Sequence, residues 1–240
     1  MQNLDGESIT VAQGSPVKLL IVNNALTPDQ VQLLDAGKYP NWIGSITAND
    51  EEGGYLMLKE LLRQHGPVPA GETLQLLAFS GAKNTPTSQA REQGLRRALG
   101  EHPQVHLRQL VYGEWSRQRA FEQATLMYKR YPQATLVWSA NDEMALGAMQ
   151  ALNGSGRTPG KEVLFSAINS SPEVLQARLQ GRISALVAGH FTLGGWAMVL
   201  LHDYASGVDI QRHGGRERQV RLFQLIDRPQ AQHLLDLRNH

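Results

Sequence analysis

Residues 136–152 read LVWSANDEMALGAMQAL. The stretch starts with a short apolar run, continues with Asn141 and Asp142, and then carries apolar residues at helical spacing. It therefore predicts a buried strand followed directly by a helix over 142–152. Asp142, with Glu143 after it, supplies an acceptor for the free N–H groups of the first helical turn. We expect Asp142 to cap this helix, which leaves the amide of Asn141 available for another purpose.

The same succession of strand and helix recurs along the chain. Apolar runs predict strands over 17–22, 42–46, 74–79, 105–111, 135–138, 163–168 and 183–187. Amphipathic segments and capping signals predict helices over 52–64, 88–99, 116–131, 142–152, 172–180 and 191–204. Such an alternation is typical of the α/β class, with parallel, doubly wound sheets and right-handed crossovers.

The composition restricts the classes of function. The 240 residues are 41% hydrophobic and 19% charged, which is typical of a folded globular chain. The net charge of +1 gives no electrostatic reason to expect nucleic acid or anionic lipid as the main partner. The absence of cysteine excludes disulfides, a thiol nucleophile and cysteine-bound metal. The basic stretch 212–221, RHGGRERQVR, is diluted by Gly, Glu and Gln, and we expect a solvated turn there.

Polar or aromatic side chains follow almost every predicted strand. In open α/β sheets, ligands bind outside the carboxyl ends of the strands. The candidates at these ends are Asn23, Asn24, Asn49, Asp50, Arg91, Trp115, Asn141, Asn169, Gly189 and His190. Each asparagine taken singly is an ordinary turn or cap residue. Their recurrence favours a neutral polyol as ligand, because amides both donate to and accept from hydroxyls and an indole covers the apolar side of a sugar ring.

Motifs of catalysis and of cofactor binding are missing from the sequence. It contains no GxGxxG after a strand, no GxxxxGK[ST], no HExxH and no GxSxG. The eight histidines are scattered, so we expect no metal site, no cofactor and no catalytic residues. The acidic run at Asp50, Glu51 and Glu52 is more typical of a helix start than of a pair of glycosidase carboxylates.

Several segments together resemble the type I periplasmic binding proteins, a family that includes ribose-binding protein and other sugar-binding components of ABC transporters. These segments are ITANDEEGGYLMLKELL, NTPTSQAREQGLRRAL, YPQATLVW and SANDEMALGAMQAL, and GHFTLGGWAMVLLHDYASG resembles the return helix of one subgroup. The resemblance extends from residue 17 to the C-terminus. It implies a periplasmic protein that binds a carbohydrate by hinge closure of two α/β lobes and delivers it to a transporter permease, without membrane insertion or nucleic acid.

The resemblance also implies roles for individual residues. A strand-end pair of the family falls at Asn23 and Asn24, its arginine at Arg91 and its stacking aromatic residue at Trp115. The remaining positions are a cleft asparagine at Asn141, an aspartate position at Asn169, and a hinge glutamine position at Gly189 with His190 beside it. Asn141 is thereby expected to bind a ligand hydroxyl. Amides stand where the family has two carboxylates and an arginine, at positions 23, 24 and 169, and glycine replaces the glutamine at position 189. These replacements argue against ribose itself as the sugar.

The resemblance further predicts the division of the chain. Residues 17–49 and 190–225 are expected to form a partial N-terminal lobe, and residues 50–189 and 226–240 the C-terminal lobe, with a final helix over 230–237. Residues 1–16 are expected to be a polar leader without the features of a secretion signal. The leading strands and helices of the first lobe have no counterpart before residue 17, so the chain resembles the C-terminal two-thirds of such a protein.

Other classes of protein remain open at this point. LacI-type transcriptional repressors share the effector-binding fold but carry a DNA-binding module, which an upstream reading frame would reveal. A sugar-sensing ectodomain of a signalling receptor would have the same pocket without transporter genes beside it. An enzyme is a further alternative, which a glycoside hydrolysis screen would distinguish from a binding protein.

Overall fold

The computed structural model describes residues 16–24, 26–35, 40–212 and 214–238. Its strands are β1 (Leu19–Val22), β2 (Trp42–Ala48), β3 (Leu74–Ser80), β4 (Val105–Tyr112), β5 (Leu136–Ser139), β6 (Leu164–Ile168), β7 (Ala185–Ala188), β8 (Glu217–Val220) and β9 (Gln224–Leu225). Its α-helices are α1 (Pro28–Asp35), α2 (Asp50–His65), α3 (Pro86–Glu101), α4 (Arg117–Arg130), α5 (Asp142–Gln150), α6 (Pro172–Leu179), α7 (Leu193–Ala205) and α8 (Arg228–Asp236). The predicted α/β class with parallel strands is confirmed.

The chain divides into two compact units. Unit 1 comprises Met1–Ala48 and Thr192–Arg221, and unit 2 comprises Asn49–Phe191 and Leu222–His240. The lobes expected from the sequence, 17–49 with 190–225 and 50–189 with 226–240, stay a prediction. Residues 1–15 of the expected polar leader lie outside the described residues.

Unit 2 contains one six-stranded sheet in the order β4-β3-β5-β6-β7-β9. The first five strands are parallel, and β9 pairs antiparallel with β7. The chain moves from β3 outward to β4 and then crosses back to β5 on the other side of β3. This reversal is a topological switch point, where open α/β sheets form a crevice beyond the carboxyl ends of their strands.

Short polar side chains start the helices of unit 2. Asn49 accepts from the Glu52 N–H at the start of α2, and the acidic residues of the first turn suit the positive end of the helix dipole. Thr85 and Ser171 cap α3 and α6, each followed by a proline in the first turn. Asp227 and Gln230 form a reciprocal capping box on α8. These local signals explain why the helices were predictable from the sequence.

The core of unit 2 lies between the sheet and its helices. Trp138, Phe79 and Phe165 are its largest fully buried side chains. Helix α2 packs against α3, α4 packs against α5, and α6 packs against α8. The Trp138 indole also donates to the Gly54 carbonyl at 3.0 Å, so its single polar group is satisfied within the core.

Unit 1 contains a three-stranded parallel sheet in the order β1-β2-β8. Ile21 and Trp42 form its buried cluster, and Leu26 packs against them. The solvated turn that we expected over 212–221 was wrong in part, because residues 217–220 form strand β8 and pair with β2. An edge strand with one solvated face can carry alternating charges. The polar composition of residues 217–220 therefore did not predict a strand.

Helix α1 and strands β8 and β9 were absent from the sequence interpretation. Strand β9 has only two residues and depends on pairing with β7, so it carries no periodic pattern of its own. Among the described residues, none of the helices combines the length and the apolar character needed to cross a membrane.

Candidate functional site

The carboxyl edge of the unit 2 sheet brings together most of the residues predicted to form a site. Trp115 follows β4, Asn141 follows β5, Asn169 follows β6, and Gly189 with His190 follows β7. Asp50 begins α2 and Arg91 lies in α3, and both belong to the same unit. The edge therefore combines amide, carboxylate, guanidinium and imidazole groups.

Arg91 is the central buried charge of this edge. Its Nε donates to Asp50 Oδ1 at 2.8 Å, and its Nη1 donates to the Ala140 carbonyl at 2.6 Å. The rings of Trp115 and Phe223 each lie 5.7 Å from its guanidinium carbon. Nη2 has no hydrogen-bond partner among the described residues, so its two N–H groups remain for a ligand.

The position of Arg91 differs from the sequence interpretation. We counted it among the residues at strand ends, although the helix predicted over 88–99 includes it, and it lies in the second turn of α3. Burial raises the pKa of its partner Asp50, while the Arg91 guanidinium opposes that rise. The ion pair is almost fully shielded from solvent, so loss of either partner would leave an uncompensated buried charge.

The division of roles between Asn141 and Asp142 was also wrong. Asn141 is the N-cap of α5, because its Oδ1 accepts from the Met144 N–H at 2.9 Å. Its Nδ2 donates to the Trp115 carbonyl at 3.4 Å. Asp142 is the first helical residue, and its carboxylate accepts from the Glu143 N–H and from Asn169 Nδ2. The cap must precede the first helical residue, and here the helix begins one residue earlier than a cap at Asp142 would require.

Trp115 lies in an unusual backbone conformation. Glu114 and Trp115 have φ angles of 52° and 65°, in the left-handed region that bulky residues rarely adopt. This turn directs the indole over Gly81, where an added Cβ would lie 2.0 Å from Trp115 Cζ2. The ring is thus held between the glycine after β3 and the guanidinium of Arg91.

Asn169 connects the ends of three strands. Its Nδ2 donates to Asp142 Oδ1 at 2.7 Å, and its backbone N–H donates to the Val187 carbonyl at 3.1 Å. Its φ of 136° is a strained value for a residue with a side chain. The bond to Asp142 holds the side-chain amide of Asn169 in one orientation. It uses the Nδ2 of Asn169 and leaves the side-chain Oδ1 out.

Gly189 and His190 form the far end of the edge. Gly189 has a φ of 139°, and a Cβ there would lie 1.9 Å from the Leu222 carbonyl oxygen, so only glycine fits. The His190 ring lies 5.2 Å from the Phe223 ring, and its buried Nδ1 has no hydrogen-bond partner among the described residues. Burial, assisted by Arg91 and opposed by Asp142, lowers the pKa of His190 to about 4, so the ring is neutral at neutral pH.

An open hollow of about 290 Å³ lies beside these residues. Its polar lining includes Asp142, Asn169, Ser170, His190 and Arg238. Two of the predicted residues, Asn169 and His190, therefore face the same space. Arg91 and Trp115 stand at the β3 and β5 side of the edge and do not line this hollow.

Three predicted residues stand apart from this group. Asn49 is the N-cap of α2. Asn23 and Asn24 belong to unit 1, where Asn23 has a φ of 70° and donates its backbone N–H to the Ile46 carbonyl. The ligand-binding role expected of Asn23 and Asn24 from the family resemblance, and of Asn49 from its place after a strand, stays a prediction.

Phe223 and the second role of Asp142 were missed in the sequence interpretation. Phe223 contacts both Arg91 and His190, yet it lies more than thirty positions beyond His190 in the sequence, between Leu222 and Gln224. No pattern in the sequence around Phe223 predicts such a long-range contact. Within the described part of the chain, no three His, Asp or Glu side chains are placed to hold a metal ion.

Comparison with protein families shows where the chain belongs by sequence. The periplasmic binding protein domain matches residues 43–209. A galactofuranose-binding protein of Escherichia coli is 24% identical over 137 residues, covering 56% of this chain and 43% of that protein. A D-apiose import binding protein of Actinobacillus succinogenes is 25% identical over 194 residues, covering 75% of this chain and 60% of that one. The chain thus spans less than two-thirds of the length of these relatives.

Solved structures show the same fold. A periplasmic sugar-binding protein from Pseudomonas fluorescens is 59% identical, with a TM-score of 0.86 over 96% of this chain and 67% of that chain. A galactofuranose binding protein has a TM-score of 0.79 at 18% identity and covers 98% of this chain and 75% of that one. At that lower identity the likeness is one of fold alone.

Proposed function

Because the chain belongs to the periplasmic binding protein domain family, we propose that it binds a neutral sugar at the carboxyl edge of the unit 2 sheet. The observation that carries this proposal is the setting of Arg91. Its charge is balanced by Asp50, two of its nitrogens are occupied, and two aromatic rings flank it. Nη2 keeps a pair of N–H donors that are fixed in place and suited to hydroxyl or ring oxygens.

The rest of the edge supports an uncharged ligand. Asn169 has its carbonyl oxygen available to accept from a hydroxyl, and neutral His190 can donate or accept. Trp115 and Phe223 are half-buried, and the parts of their rings that Arg91 leaves uncovered can offer apolar surface to the C–H groups of a sugar ring. The role of Asn141 differs from the first expectation, since its oxygen serves the helix cap and only its weakly bonded Nδ2 remains for a ligand.

In this proposal the protein works in the periplasm and passes its sugar to the permease of an ABC transporter. The names of its relatives support this, since they include an import binding protein and periplasmic sugar-binding proteins. They give no comparable support for a repressor or a sensor. Closure of two lobes around the sugar, with 17–49 and 190–225 as a partial first lobe, stays a prediction.

We propose further that the protein acts by binding and without catalysis. The relatives named above are binding proteins. Incubation with nitrophenyl glycosides should therefore release no nitrophenol above the buffer blank. Release that disappears on boiling the protein and copurifies with it would contradict this part of the proposal.

A thermal-shift screen tests the proposed ligand class. Monosaccharides, inositols and disaccharides are added singly to the chain, and a sugar that binds the folded state should raise the unfolding midpoint by mass action. Asn169→Ala should weaken that rise by removing a partner of a ligand hydroxyl. Asn153→Ala, an exposed asparagine in the turn after α5, is the matched control and should keep the full rise.

Two outcomes would overturn the proposal. One is a screen in which no sugar raises the midpoint. The other is a bound sugar whose effect is the same with Asn169→Ala as with Asn153→Ala, since the polar edge would then not be the site. The expected loss for Asn169→Ala is about 1–3 kcal/mol of binding free energy, as for a hydroxyl left without its partner in a desolvated site.

A further inference from the structure

Helices α2 and α3 touch through their backbones at two glycines. A Cβ added at Gly54 would lie 2.0 Å from the Arg91 carbonyl oxygen, and one added at Gly94 would lie 1.9 Å from the Glu51 carbonyl oxygen. Both distances are far shorter than any real contact of a Cβ, so a side chain at either position would force the two helices apart. The approach of the helices therefore depends on glycine on both sides.

This contact lies next to the ion pair of the proposed site. Asp50 is the first residue of α2, one turn before Gly54, and Arg91 precedes Gly94 by three residues in α3. The backbone touched by Gly54 is that of Arg91 itself. The carbonyl of Gly54 also accepts from the Trp138 indole at 3.0 Å, which ties α2 to β5. The distance between the helices thus sets where the Arg91 side chain begins.

We propose that Gly54 and Gly94 are positioning residues that fix the Arg91 guanidinium at the carboxyl ends of β3 and β5. The inference rests on the proposed function, in which Nη2 of Arg91 contacts the ligand. Arginine has many rotamers, and holding it in one of them before the ligand arrives reduces the entropy that binding must otherwise lose. The glycine contact supplies this by holding the Arg91 backbone where two of its guanidinium nitrogens lie 2.8 Å from Asp50 Oδ1 and 2.6 Å from the Ala140 carbonyl oxygen.

The competing explanation is that Asp50 alone holds Arg91 by electrostatic attraction. The two explanations predict different hydrogen bonds for Arg91 when α2 and α3 are moved slightly apart. Flexible side chains could follow a separation of a few tenths of an ångström and keep their ion pair. A guanidinium that is positioned by the helix backbones would instead lose one of its two hydrogen bonds, because the Ala140 carbonyl stays with the sheet.

The test follows the Nε–H group of Arg91 by nuclear magnetic resonance, in the 240-residue chain and without any sugar. In the parent protein this proton should exchange slowly, because it is buried and bonded to Asp50. Gly94→Ala should lower its protection factor by about tenfold or more. Gly100→Ala lies in the same helix with nothing near the added methyl group, and should leave the protection unchanged.

Far-ultraviolet circular dichroism establishes that each variant is folded, and trimethylamine N-oxide can be added to favour the folded state of Gly94→Ala. Equal protection of Arg91 in Gly94→Ala and Gly100→Ala would overturn the proposal. Since no ligand is present, that result is distinct from a failure of sugar binding.

A second measurement needs only the parent protein. If the helix contact positions Arg91, its Nε–H and the backbone amides at the crossing, such as that of Tyr55, are exposed by the same separation of α2 and α3. Their protection factors should then agree within about tenfold. An Arg91 Nε–H that exchanges much faster than these amides would show that the guanidinium moves independently of the helices, and the proposal would be wrong.

Discussion

At the scale of the residue, Asn141 shows how two functions compete for one side chain. Its oxygen caps α5 and its nitrogen reaches the Trp115 carbonyl, so the amide connects a helix start to the turn that presents the indole. Asp142, which the sequence favoured as the cap, instead orients Asn169. Asn141 thus has the cap role expected of Asp142, because the cap is decided by where the first helical residue falls.

Replacing Asn141 by alanine should lower the free energy of unfolding by about 1 kcal/mol, since a helix N–H group loses its acceptor. Asn141→Asp should recover most of this loss, because a carboxylate accepts the same bond and suits the helix dipole. Chemical denaturation measures both. The control Asn153→Ala should change stability little, and an Asn141→Ala variant as stable as that control would contradict the assignment of the cap.

His190 should make the stability depend on pH in a predictable direction. Its pKa is about 4 in the folded protein and 6.5 in a model peptide, so between these values the unfolded chain binds a proton that the folded chain does not. Above pH 6.5 the His190 ring is neutral in both states and the protein has its full stability. The free energy of unfolding falls as the pH is lowered towards about 4. The loss should amount to about 1–3 kcal/mol.

Urea denaturation across this pH range, with His190→Gln as the comparison, checks the prediction. The variant has no group that titrates at this position, so the free energy of unfolding of the parent, relative to that of the variant, should fall as the pH is lowered. A difference that is constant with pH would show that His190 is not responsible.

At the scale of the element, glycines set how closely the helices of unit 2 approach one another. Helices α4 and α5 cross at Gly147, where an added Cβ would lie 2.1 Å from the Arg117 carbonyl oxygen. This is a second close crossing, built in the same way as that between α2 and α3. In both, a residue of low helix propensity is retained because the packing requires it.

Gly147→Ala should therefore destabilise the protein by about 1–3 kcal/mol, because the methyl group overpacks the crossing. Gly100→Ala should have the opposite sign and stabilise by about 0.5–1 kcal/mol, since alanine favours the helix and meets nothing. Thermal and urea unfolding of the two variants give the comparison. If Gly147→Ala stabilised the protein, α4 and α5 would be able to move apart without a loss of packing energy, and the prediction would be wrong.

The sequence predicted the elements that carry local signals and missed the strands that depend on pairing. Strands β3 to β7 and helices α2 to α7 follow from apolar periodicity and from capping residues, which are local signals. Strand β8 was not predicted, because Glu217–Val220 is recognisable as a strand only once β2 lies beside it. Strand β9 likewise exists through its pairing with β7.

At the scale of the whole molecule, unit 1 exposes an apolar surface on α7. Trp196, Met198 and Val199 are 53%, 66% and 51% exposed, and they stand on one helix. Apolar side chains grouped in this way mark a surface that associates with other apolar surfaces. We therefore expect the chain to self-associate at raised concentration.

The double variant Trp196→Gln with Met198→Gln should reduce this association, as measured by light scattering or sedimentation over a concentration series. Leu126→Gln is the matched control, since Leu126 is 68% exposed but lies in unit 2. A parent protein that stays monomeric over the whole series, or a double variant that associates like the control, would contradict the prediction.

The sequence by itself determined the α/β class, the order of most elements and the polar character of the strand ends. These features depend on periodicity and on residue types within a few positions of one another, which the chain displays directly. Only the tertiary structure decided that Asn141 is the cap, that Arg91 is locked between Asp50 and the Ala140 carbonyl, and that Phe223 covers Arg91 and His190. The pairings of Arg91 and Phe223 join residues that are distant in sequence, and they are fixed by the close approach of helices and strands, for which no local pattern exists. The cap joins near neighbours, but the sequence offers two adjacent acceptors, Asn141 and Asp142, and only the position of the first helical residue selects between them.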